Sequence, residues 1–90
     1  MKIRKIKEAD CTKDFKTGYD PFDYDRYGNR LDSAYYFERS KKEYEVYVIT
    51  DEERVLALLC MQIRGRKMYL SRVGVHEDYH EHGYMTKMLL

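Results

Sequence analysis

The ninety-residue chain has no tryptophan, one proline and two cysteines, and no apolar run approaches the roughly 20 residues that cross a bilayer. Cys11 and Cys60 stand alone, without a CxxC or a framework spacing. That excludes a disulfide-stapled secreted domain and leaves two reduced thiols as the expectation. The polar start MKIRKIKEAD has no apolar signal-peptide core, so a cytoplasmic protein is expected. Charge of one sign is also lacking. Seventeen Lys and Arg against sixteen Asp and Glu give a formal +1, which supplies no pull toward nucleic acid or an anionic membrane. Ninety residues make one domain, residues 1–90, with a modest core. The abundant residue is tyrosine. Five of the ten lie between Tyr19 and Tyr36, where regular patterning is weakest.

Periodicity divides the chain near residue 43. Before it, Lys2–Lys7 carries Ile3 and Ile6 between basic residues and suits an opening strand, and Glu8–Lys16 is helix-compatible. The segment 18–30, GYDPFDYDRYGNR, holds the only proline, two glycines and three aspartates and reads as a loop. Leu31–Lys42 suits a short helix capped by Asp32 or Ser33. After it, Tyr44–Ile49 alternates as a strand does, 51–54 is a charged turn, and VLALLCMQI (55–63) is apolar throughout, as a central strand covered on both faces is. A turn at 64–67 leads into MYLSRVGV (68–75), and YMTKMLL (84–90) begins a helix. The fold class is therefore α+β: an antiparallel sheet of three to four strands with flanking helices.

Residues 76–80 spell a literal H-E-x-x-H. In zinc proteases that pattern puts both histidines one helical turn apart, facing one metal. Here the pattern starts directly after a strand, leaving no helical turn for His76, and it carries Asp78 where such helices are apolar. Thr86 stands where the longer pattern needs a third histidine, so no metal site is expected. A calcium loop fails as well. Asp23, Asp25 and Gly28 fit positions 1, 3 and 6, but Tyr27 and Ala34 occupy positions that need oxygen ligands.

The same stretch also reads as strand, polar loop, glycine, helix. That arrangement aims unsatisfied N–H groups and a positive dipole end at an anion, and Gly83 permits close approach. An ordinary strand–helix connection with a solvated histidine-rich surface fits these residues equally. At these residues the sequence resembles the GNAT superfamily of N-acetyltransferases. The family joins a V-x-V strand to a loop R/Q-x-x-G-x-G/A that opens a helix. The corresponding residues are Val73-Gly74-Val75, then His80-Glu81-His82-Gly83-Tyr84-Met85, with Leu89 and Leu90 closing the helix.

The resemblance implies an α/β sandwich with two helices before the meander, and acetyl-CoA as cofactor. The backbone at Val73, Gly74 and Val75 would bond the pantetheine arm, and the loop of His80, Glu81, His82, Gly83, Tyr84 and Met85 would hold the pyrophosphate. The acceptor would be an amine-bearing small molecule or protein, approached by the loop at 18–30. There Asp20, Asp23 and Asp25 suit a cationic amine by charge complementarity, or serve only as turn formers. His80 stands where the family has Arg or Gln, and Met85 where it has a small residue. Tyr69 stands where some relatives carry a glutamate base, so no catalytic residue is assigned. The family's later half lies beyond these ninety residues, so a second copy, a partner protein or a longer chain is expected to complete the sheet. The alternative is a non-catalytic protein-binding module or inhibitor that uses half of the fold, its tyrosine-rich loop and open sheet edge serving as contact surface.

Overall fold

A computed structural model describes residues 3–19 and 23–82, the side chains of 80–82 excepted. The alternation in the second half of the chain becomes three long strands. In β2 (Tyr44–Thr50), Val46 and Val48 point to one face and Tyr47 and Ile49 to the other. β3 (Val55–Arg64) is buried on both faces in its first half, as its unbroken apolar run requires. β4 (Lys67–Val75) follows a two-residue turn whose first central residue, Gly65, has φ +60. That is the position where a II′ hairpin turn needs glycine. With the short β1 (Arg4–Lys5), the strands form an antiparallel sheet in the order β1-β2-β3-β4.

The β3–β4 register slips once. Cys60 faces Arg72 but Met61 faces Leu70, so Ser71 is an extra residue in β4. The bulge places Arg72 and Leu70 on opposite faces of the sheet, although they are two residues apart.

Each face carries its own core. On one side Ile6, Phe15, Leu31, Tyr36, Val46, Val48 and Leu58 are buried together. On the other, Ile49, Leu56, Ala57 and Val75 are buried, with Tyr47, Leu59, Val73 and Tyr79 packed against them. The first core lies under α1 (Ser33–Ser40). This helix starts at Asp32, whose carboxylate accepts from the Tyr35 N–H at 2.9 Å, as expected for an N-cap. Tyr36 packs edge-on to Phe15, with ring centroids 6.1 Å apart.

The first of the two expected helices does not form. Glu8–Lys16 gives one 3-10 turn (Glu8–Asp10) and then runs irregularly. Two competing demands explain this. Asp10 is fully buried in a fork of hydrogen bonds from Arg4 Nη1 (2.7 Å) and Nη2 (2.8 Å), with the Lys7 N–H at 3.0 Å. Residues 14–16 also spend their backbone groups elsewhere. The Asp14 N–H donates to Glu53 O, Val55 N–H donates to Asp14 O, and Glu77 N–H donates to Lys16 O. No helix among the described residues is long and apolar enough to cross a membrane.

Candidate functional site

β4 is the terminal strand of the sheet among the described residues, and the expected cofactor residues Val73, Gly74 and Val75 form its last turn of pleat. Val73 faces Leu59, Gly74 faces Leu58 and Val75 faces Ala57. Gly74 and Val75 are buried. Gly74 has a steric reason to be glycine. A Cβ there would meet the Thr17 methyl at 3.1 Å and the Phe15 ring at 3.2 Å. The segment at 15–17 thus lies directly over this end of β4.

The chain turns sharply once β4 ends. His76 N–H still donates to Leu56 O at 2.8 Å, and a 3-10 turn (Glu77–His82) follows where sequence pattern suggests a loop. His80, Glu81 and His82 sit in the backbone of that turn, while Gly83, Tyr84 and Met85 lie outside the described residues, as does Asp20.

His76 itself is buried and satisfied. Its Nε2 lies 2.9 Å from Asp14 Oδ2, and its Nδ1 accepts from the Asp78 N–H at 3.2 Å. An imidazole that accepts at Nδ1 and donates from Nε2 is one neutral tautomer with both nitrogens in use. It has no lone pair left for a metal, and no metal-binding group of His, Cys, Asp and Glu occurs among the described residues. The backbone of the H-E-x-x-H is a strand end followed by a turn, and its first histidine staples residue 76 to residue 14.

The aspartates of the 18–30 loop are placed differently. Asp23 is 3% exposed. One oxygen accepts from the Thr17 N–H and hydroxyl at 2.9 and 3.0 Å, the other from the Gly18 N–H at 3.0 Å. Its geometry is that of a loop-building residue. Asp25 ties the turn at 25–29. It accepts from the Tyr27 and Asn29 N–H groups, both at 2.8 Å, and from the Asn29 side-chain amide at 3.1 Å. The Asn29 backbone N–H leads the hydrogen bonds that hold its carboxyl below the usual range. Unlike Asp23, Asp25 also lines a pocket of about 610 Å³, shared by the loop, α1 and β4.

Arginines that no sequence pattern singles out complete that pocket: Arg26 from the loop, Arg39 from the last turn of α1 and Arg72 from β4. Their spacings, 13 and 33 residues, match no motif, so only the fold brings them together. The thiols take no part in any site. Burial pushes the Cys60 thiol up, and burial followed by the nearby Glu8 carboxylate does the same at Cys11, so neither is a ready thiolate.

Compared with known proteins, the model of the acetyltransferase (GNAT) family matches residues 5–90. No curated protein and no solved structure matches the chain.

Proposed function

Because the chain belongs to the acetyltransferase (GNAT) family, we propose that it binds acetyl-CoA and serves transfer of the acetyl group to an amine. The family match over residues 5–90 carries this reading, and the shape of the strand end agrees with it. β4 runs as the last described strand to Val75, and the chain then turns at once. A cofactor laid along Val73, Gly74 and Val75 would therefore have a strand beside it and the His80–Met85 segment at its end. Bound acetyl-CoA would supply the thioester carbonyl that the acceptor amine attacks. On this chain's side, Val73–Val75 would orient the pantetheine arm, while the amides of His82, Gly83, Tyr84 and Met85 would hold the pyrophosphate. Asp14 and His76 fix the start of that turn by pairing with each other.

Completion of the site by a second copy, a partner protein or a longer chain belongs to the same proposal. Met68, Tyr69 and Leu70 of the terminal strand are each about half exposed, which suits pairing with an added strand. A single species of monomer mass in light scattering counts against a second copy. The cytoplasm is the compartment where acetyl-CoA and reduced thiols would both be available.

Thermal unfolding with and without ligand tests the cofactor. Millimolar CoA or acetyl-CoA raises Tm, by linkage to the folded state. Gly83→Asp removes the rise, because a carboxylate there repels phosphate. An unchanged Tm at millimolar ligand sinks the reading.

A further inference from the structure

The pocket beside β4 has an unusual charge balance. Arg26, Arg39 and Arg72 reach it from three separate elements, and Asp25 is the one acid among its described lining residues. Both Asp25 oxygens are already committed to the 25–29 turn.

Outside the pocket, Arg4 pairs with Asp10, Arg30 with Asp14 and Arg54 with Asp51, the last two also lying over the Tyr24 and Tyr79 rings. Two of the pocket arginines, Arg26 and Arg39, lie over aromatic rings. Arg39 Nε donates to the Tyr35 hydroxyl, and its guanidinium lies over the Tyr35 and Tyr44 rings at 5.1 and 4.5 Å. Arg26 lies over the Tyr27 ring at 5.0 Å. Arg72 is hydrogen-bonded to the buried Tyr36 hydroxyl, and the bulge at Ser71 turns it onto the α1 face. Ring faces and phenols orient a guanidinium without cancelling its charge. The pocket therefore presents positioned, planar, forked donors, which match carboxylate and phosphate oxygens.

We propose that the pocket formed by Arg26, Arg39 and Arg72 binds an oxyanion, a carboxylate or phosphate, carried by the acceptor next to its amine. Its description as an acceptor site rests on the acetyl-transfer reading; the oxyanion chemistry rests on the pocket alone. Arg72 immediately precedes Val73–Val75, so an oxyanion held there leaves the other end of a short molecule beside the strand assigned to the cofactor. The volume, about 610 Å³, is that of a small-molecule site.

Titration of the whole chain by NMR, in the absence of acetyl-CoA, tests the pocket. The probes are O-phosphoethanolamine against ethanolamine, and β-alanine against β-alaninamide. In at least one pair the oxyanion-bearing amine binds at least tenfold more tightly than its counterpart without the oxyanion and shifts the amides of Arg26, Arg39 and Arg72. The pair that responds identifies phosphate or carboxylate. Arg26→Gln and Arg72→Gln each weaken that binding about tenfold and leave binding of the amine without the oxyanion unchanged. If Arg72→Gln fails to fold, Arg26→Gln decides, because Arg26 is exposed. Equal binding within both pairs, no binding at tens of millimolar, or indifference to Arg26→Gln overturns the proposal. With no cofactor present, the outcome is separate from that of the acetyl-CoA melt.

Discussion

Burial alone pushes the Asp10 carboxyl up, yet it is held at about 2, because hydrogen bonds from Arg4, the Lys7 backbone and Lys13, with the Arg4 charge, outweigh desolvation. The folded value lies below the unfolded one. The stabilisation is therefore present above the unfolded pKa near 4 and is lost as pH falls toward 2. A depression of this size is worth about 2 kcal/mol. Urea melts between pH 5 and 2 will show wild-type stability falling across that window, and Asp10→Asn will flatten the fall while lowering stability at pH 5. A second buried polar residue, His76, yields a test of a different kind. His76→Phe removes both ring-nitrogen partners and should cost about 1–2 kcal/mol in chemical denaturation. Zinc affinity measured by titration stays the same in that variant. A weaker zinc affinity would restore His76 as a ligand.

Among the elements, β4 carries two local constraints. Its bulge at Ser71 orients Arg72, and Gly74 admits the segment at 15–17. Gly74→Val places a branched side chain against Phe15 and Thr17, and thermal melts should show a loss of about 1–3 kcal/mol. A loss under 0.5 kcal/mol would mean that the overlying segment moves aside easily.

The elements also differ in how far the sequence reveals them. β2, β3 and β4 follow from alternation and an apolar run, and α1 from its Asp32 cap, because each signal is local. The failed helix at Glu8–Lys16 has no local signal. Arg4, the turn at 51–54 and Glu77 compete for its groups, and those partners are apparent only in three dimensions. For the same reason His76 resembles a metal ligand when read beside Glu77 and His80, and becomes a staple only when Asp14 is placed next to it. The strand end at Val73–Val75 is legible from spacing; the arginine pocket, drawn from three elements, is not.

The whole molecule is a sheet with a core on each face, held at one end by a contact between distant parts of the chain. His76 and Asp14 are 62 residues apart. Glu77 to Lys16 and Gly74 to Phe15 bridge similar distances. Closing such a loop is entropically unfavourable before its contacts form, so these contacts belong late in folding, after the β2–β3–β4 hairpins. His76→Phe should then accelerate unfolding while leaving the refolding rate nearly unchanged, as stopped-flow chevrons would reveal. A slowed refolding limb would place the staple in the nucleus instead. If the staple does form late, it is also the part most easily opened from the native state. The segment around His76 and Glu77 would then exchange its amide protons sooner than the strands behind it.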